Sequence, residues 1–191
     1  MSGPTDGTTE RDRRDVIVTA ARELAEEEGW TGISGRRLAD RAEVDVGDLY
    51  RHFVDQEAVL AAVAVRGFAD LAAALTAAHA DNEVPERAWE VMASAYLDFA
   101  YANPAAYDAM LTLTPDLALG ADGVPAAPRA VFAALRAALT PLAAGRDPDT
   151  LAEVGWSLLH GVVMLTRGGR LRPEGQDERE TMIAERLLRW P

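Results

Sequence analysis

With 191 residues, 49% of them hydrophobic, the chain is long enough for one or two small domains with a buried core. The absence of cysteine removes disulfides, thiol chemistry and thiolate metal sites. A net charge of −12, with arginine as the sole strong base, argues against general affinity for nucleic acid.

No basic-then-apolar leader opens the sequence, and no uninterrupted apolar run approaches about 18 residues. A soluble, cytoplasmic protein with no membrane partner is expected.

Residues 1–10 are rich in Gly, Pro, Thr and Ser and predict a disordered tail. Arg11, Arg13 and Arg14 follow. They suit either a basic arm for a minor groove or phosphates, or a solvated first helical turn. A first helix is predicted from about Asp12 to Glu28, with Val16, Ile17, Ala20, Ala21 and Leu24 at helical spacing and Gly29 as its stop. Trp30 and Ile33 should pack between it and the next two helices. Ser34 suits an N-cap.

Ser34 to Phe53 reads as two short helices meeting at a tight corner. Leu38, Ala39 and Ala42 give the first an apolar side, and Leu49 and Phe53, at i and i+4, give one to the second. Val44 plugs the corner, leaving Asp45, Asp48, Tyr50, Arg51 and His52 to point outward. This is the pattern of a helix-turn-helix. Arg36, Arg37, Arg41 and Arg51 are balanced there by Asp40, Glu43, Asp45 and Asp48, so the segment is neutral and depends on good direct contacts.

Asp55 then caps a connecting helix, 56–80, which separates a helix-turn-helix domain at 11–55 from a C-terminal domain at 81–191. In the latter a helix from Pro85 to Tyr101 carries Trp89, Met92, Tyr96 and Phe99. Asn103-Pro104 starts a short helix with Tyr107, Met110 and Leu111. The Pro- and Gly-rich stretch 113–128 predicts a mobile loop, and a helix over about 127–142 should be distorted near Pro141. Asp147-Pro148 starts a helix that Gly168-Gly169 ends, and a last helix spans about 176–190. With strand patterning nearly absent, the chain reads as all-α.

Leu38-Ala39, Ala42, Val44, Gly47 and above all Leu-Tyr-Arg-His-Phe at 49–53 resemble the DNA-binding core of the tetracycline-repressor (TetR) family. The resemblance implies an N-terminal three-helix helix-turn-helix domain joined by a long helix to an all-helical ligand-binding and dimerisation domain. It implies that Ser34, Tyr50 and His52 lie near phosphates, that Asp45, Val46, Gly47 and Asp48 open the recognition helix into the major groove, and that Arg36 and Arg51 belong to the same DNA-binding set. The sequence departs from the family where small hydroxyls usually replace Asp45 and Asp48, a lysine often replaces Val46 and a phosphate-binding lysine replaces Gln56. Glu43 stands where the corner glycine is usual, at a cost of about 1 kcal/mol if that position needs φ > 0. Asp48 can accept from cytosine N4, or it can cap the helix or repel phosphate; both readings stay open, while Asp45 leans to capping.

Trp156, His160 and Gly161 are similar to the W-x-x-x-H-G signature of one TetR ligand-domain subclass, often called the WHG domain, and 101–110 is similar to its segment between helices five and six. Trp156, His160 and Met164 share a face at i+4 steps. One reading gathers them with Trp89, Tyr96, Phe99, Tyr107 and Met110 around a small apolar effector; the plainer one makes them core filling. The family implies a homodimer through the last two long helices, with Gly155, Leu159, Val162 and Trp190 as candidates. The function expected is a ligand-responsive repressor on a palindromic double-stranded operator; the alternative is a helical interaction module that no longer binds DNA. His52, His79 and His160 lack a nucleophile partner or metal-site spacing, so no catalytic residue, metal or cofactor is expected.

Overall fold

Side-chain caps start three of the helices, at Ser34, Asp55 and Asp147. The structure, a computed structural model, describes residues 6–80, 82, 84–114 and 125–186, and among these there is no strand. The helices are α1 (Asp6–Glu28), α2 (Gly35–Arg41), α3 (Val46–His52), α4 (Gln56–Ala80), α5 (Pro85–Ala102), α6 (Pro104–Asp108), α7 (Ala126–Leu139), α8 (Pro148–Arg167) and α9 (Gln176–Arg186). The chain is all-α, as its periodicity predicts. It divides into two compact units, Met1–Gly67 with Asn103–Ala118, and Phe68–Ala102 with Leu119–Pro191.

In the first unit, Gly29 ends α1 at φ 77°, and a single 3₁₀ turn, Trp30–Gly32, leads to Ser34. The Ser34 hydroxyl accepts from the Arg37 N–H at 3.4 Å and caps α2. Ile17, Ala21, Leu24, Leu38, Ala39, Leu49, Phe53 and Val59 form the core of this unit. Asp55 caps α4 through the Ala58 N–H at 2.7 Å.

One expectation needs correcting. α1 begins at Asp6, so residues 6–10 are helical rather than part of a tail; residues 1–5 lie outside the described residues. By length and composition α4 is apolar enough to cross a membrane despite Arg66 and Asp70. Along it Val59, Val63, Phe68, Leu71 and Leu75 are buried. Of the mobile loop expected at 113–128, residues 115–124 lie outside the described residues, and Ala126 onward is helix.

Glu43 adopts φ 54°, the left-handed region that a glycine occupies without a Cβ clash. The strain anticipated at the corner is therefore present. Glu43→Gly is expected to raise stability by about 1 kcal/mol, read as a higher urea midpoint at unchanged slope.

In the second unit α7 packs on α8, and α5 packs on α7, α8 and α9. Asp147 caps α8, accepting from the Thr150 N–H at 2.8 Å, and these Thr150 bonds hold its carboxyl below the usual range. α7 stops at Leu139, and Thr140–Leu142 form one 3₁₀ turn around Pro141. The core of this unit is built on Trp89, Met92, Tyr96, Leu135, Leu139, Leu159 and Val163.

Candidate functional site

The recognition helix α3 is seven residues long and cannot hold itself in place. Asp45 has the extended backbone of an N-cap, yet its carboxylate makes no capping hydrogen bond. Leu49 and Phe53 anchor the helix from beneath. Val46 and Tyr50 are 42% and 49% exposed, and a Cβ at Gly47 would meet nothing within 4 Å. These three positions form an open surface able to meet base edges and backbone closely.

The other predicted contacts fare differently. His52 is not outward: its side chain is 8% exposed, with Nδ1 3.3 Å from the Glu10 carboxylate on α1. Asp48, also largely covered, has Arg51 at 2.6 Å on one oxygen and Arg13 at 3.7 Å on the other. Arg37 bonds Glu28 and the Gly32 carbonyl, while Arg41 bonds Glu27 and lies 3.6 Å from Glu23. The Arg41 guanidinium holds the Glu27 carboxyl below the usual range. Of the four arginines between Ser34 and Phe53, Arg36 alone, exposed on α2, has no partner among the described residues.

The basic arm resolves into part of α1. Arg14 donates to the His52 carbonyl at 2.7 Å, and its guanidinium lies 4.1 Å from the Phe53 ring centre. With Glu10 and Arg13, it makes the first turns of α1 a clamp on α3. No local pattern reveals this clamp, since its partners are about 35 to 40 positions apart.

A second long-range device holds α6. Asn103, at its N-cap, makes no side-chain cap bond. Glu26 of α1 does that work, accepting from the Ala105 and Ala106 N–H groups at 2.9 and 3.0 Å. Arg22 donates to Asn103 Oδ1 at 2.7 Å, and Trp30 Nε1 to the Ala105 carbonyl at 2.8 Å. Trp30 and Ile33 also line an apolar groove of about 190 Å³ with Leu38, Val59, Leu60, Gln56 and Glu57.

Among the predicted effector contacts, Tyr107 and Met110 belong to the first unit, where both are buried and the Met110 sulfur lies close over Gly67. The second unit brings Tyr96, Trp156 and Phe132 together: Trp156 Nε1 donates to the Tyr96 hydroxyl at 3.0 Å, and the Phe132 and Trp156 rings are 6.4 Å apart. Trp89 is fully buried and donates to the Ile183 carbonyl at 3.4 Å. Phe99 is half-buried. His160, one turn after Trp156, is half-buried, and burial pushes its pKa down, which favours the neutral ring at pH 7. Met164 is exposed, so the face shared with Trp156 and His160 turns outward at its end. A cleft of about 320 Å³ between α5 and α9 is polar, lined by Arg87, Glu90, Asp177 and Glu180 among others, and holds none of these aromatic residues.

Of the dimer candidates, Gly155 and Leu159 are buried inside the unit, Val162 is half-buried, and Trp190 lies outside the described residues. The exposed apolar stripe on α8 is Val154, Leu158 and Leu165, with Gly161 between them, where a Cβ would meet nothing within 4 Å.

Comparison with known proteins agrees with this architecture. Residues 17–63 match the family described as "Bacterial regulatory proteins, tetR family", and 89–189 match "Tetracyclin repressor-like, C-terminal domain". The chain is 35% identical over 105 residues to the uncharacterized HTH-type transcriptional regulator YobS of Bacillus subtilis. That match covers 53% of the chain, and the chain spans about half (52%) of that relative's length. A solved protein of unknown function from Rhodococcus sp. RHA1 superposes with a TM-score of 0.79 at 29% identity, covering 93% and 94% of the two chains. RolR in complex with resorcinol superposes with a TM-score of 0.66 at 18% identity, over 96% and 89%. With both a helix-turn-helix and a C-terminal family match in their expected places, the chain belongs to the tetracycline-repressor family of DNA-binding transcriptional regulators.

Proposed function

We propose that this regulator is a cytoplasmic homodimeric repressor that leaves a palindromic operator when a small, largely apolar molecule enters its second unit. The observation that carries the reading is the pairing of an open recognition surface at Val46, Gly47 and Tyr50 with a half-buried aromatic cluster elsewhere in the chain. In that cluster the Tyr96 hydroxyl, oriented by the Trp156 N–H, and a neutral His160 are polar groups among apolar walls, the usual make-up of a small-molecule site. Resorcinol, the ligand in RolR, has that mixed character.

Ser34, Arg36 and Tyr50 serve as phosphate contacts, and Val46 and Gly47 face base edges, with Val46 suited to a thymine methyl group. His52, bound to Glu10, supports the helix rather than touching DNA. The exposed stripe of α8 forms the two-fold contact, which sets the half-site spacing at about one helical turn or a multiple of it. α4 runs without interruption from the first unit into the second and is the element on which an effector acts. A differential affinity worth about 1–3 kcal/mol is enough for useful regulation.

The test is selection of binding sites from a random duplex library with the full chain, followed by titration of small phenols and other aromatics against the selected complex. Enrichment of inverted repeats, with release by at least one compound that binds the free protein, is the expected result. A library that yields no saturable duplex would instead favour a helical protein-interaction module.

A further inference from the structure

We infer that Asp48 is a specificity-determining positioning residue: it fixes Arg51 and Arg13 and withholds their charge from DNA phosphates, rather than reading a base itself. The inference rests on the DNA-binding role of α3 and asks what an acid does in the middle of it. A carboxylate facing phosphates unpaired would oppose binding. Here both oxygens are engaged, one by Arg51 at 2.6 Å and the other by Arg13 at 3.7 Å.

The asymmetry of exposure shows which partner faces outward. The Asp48 side chain is 19% exposed, whereas Arg51 and Arg13 are 74% and 55% exposed. Arginine has five N–H donors in a rigid fork, so a guanidinium held at one end by Asp48 keeps donors for an outside acceptor. Arg51 is thereby pre-oriented, and much of its rotamer entropy is spent before DNA arrives.

The triad also limits attraction that carries no sequence information. Non-specific binding comes almost wholly from cations meeting phosphates. In a segment whose Arg37 and Arg41 are already tied to acids of α1, tying Arg13 and Arg51 as well leaves binding to depend on fit. Asp48 thus lowers affinity for all duplexes and lowers it least for the correct one.

The experiment compares wild type, D48N, R51Q, D48N/R51Q and D40N, all as the full chain. Each is titrated with a selected operator duplex and a random-sequence duplex over a range of salt. Asp40, exposed on α2 and without an ion-pair partner among the described residues, gives the same charge change without the triad. D48N is expected to tighten random-duplex binding on the order of 3–10-fold and to steepen its log–log salt slope by about 1–2, as one or two arginines become free for phosphates. Operator binding should gain less, so discrimination falls. R51Q in the D48N background should remove most of the gain, and D40N should move the slope by well under one.

An unchanged D48N slope, or an equal change in D40N, would overturn the inference. So would loss of preference at a single C·G pair in D48N with the slope intact, since Asp48 would then be the reader. Thermal unfolding gives an arm without DNA: additive effects of D48N and R51Q would mean that the pair is not coupled, and would also refute it. If wild type binds no duplex at any salt, the DNA-binding reading falls and carries the inference with it. Wild-type binding with a normal D48N slope sinks the inference alone.

Discussion

Glu26→Ala is expected to lower the thermal midpoint by roughly 4–12 °C, the shift that about 2–3 kcal/mol produces in a chain of this size. Few exposed-looking glutamates do so much. The Glu26 carboxylate takes two N–H groups at the start of α6, where Asn103 supplies no cap of its own. Removing it leaves two donors at a helix N-terminus without partners, in a part-buried place where water substitutes poorly. Glu26→Gln keeps an acceptor oxygen but loses the charge, so it should fall about midway. Differential scanning fluorimetry separates the two, and equal behaviour of Ala and Gln would show that packing, rather than capping, was lost. The substitution should also loosen the hold of α1 on α6, which Arg22 and Trp30 would then carry alone.

Leu158→Asp is expected to turn the proposed homodimer into a folded monomer. Leu158 lies 41% exposed in the α8 stripe with Val154, Gly161 and Leu165. In the monomer an aspartate there stays in water and costs the fold little. In a two-fold contact it appears twice, desolvated and facing its own copy, at about 3–5 kcal/mol. That raises the dimer Kd by roughly two to nearly four orders of magnitude. Sedimentation velocity reads the mass and circular dichroism the helix content. A dimer of unchanged affinity would move the interface off this face. Operator binding should fall with the dimer, because one reader alone contacts half a palindrome.

How much of this was legible in the sequence depends on how local the cause is. Gly29, the Ser34 cap, Asn103-Pro104 and Asp147-Pro148 each act within a turn of themselves, so they placed the helices closely. Glu43 was legible as a strained corner through the family resemblance, since it stands where the corner glycine is usual, and its φ of 54° is in the left-handed region. The start of α1 was missed because Gly7, Thr8 and Thr9 are weak helix formers, and the clamp on α3 that holds Glu10 and Arg13 in helix is tertiary. His52 looked outward on periodicity alone, yet the last turn of a seven-residue helix is aimed by what it packs on, here Glu10. On α8 the structure buries the candidates Gly155 and Leu159 within the unit and leaves Val154 and Leu158, one position earlier, exposed. That helix is apolar on most sides, and Gly155 with Leu159 is indistinguishable by pattern from Val154 with Leu158 until the neighbouring helices are in place. The ion pairs that tie up Arg13, Arg37, Arg41 and Arg51 were likewise invisible, although a count of charges showed the segment to be neutral.

Gly35 sits at the first turn of α2, and a Cβ built there would fall 2.5 Å from the Tyr50 hydroxyl oxygen. Position 35 meets no base or phosphate in the proposed contact, yet its missing methyl group sets where the tip of an outward-facing ring can rest. The two positions are sterically coupled. A change to alanine at 35 would push the ring tip aside, a small shift for an exposed side chain, and a change from tyrosine to phenylalanine at 50 would remove the closest contact. The placement of a ring on α3 is thus set by the size of a residue on α2, and can be altered without changing any other side chain of α3.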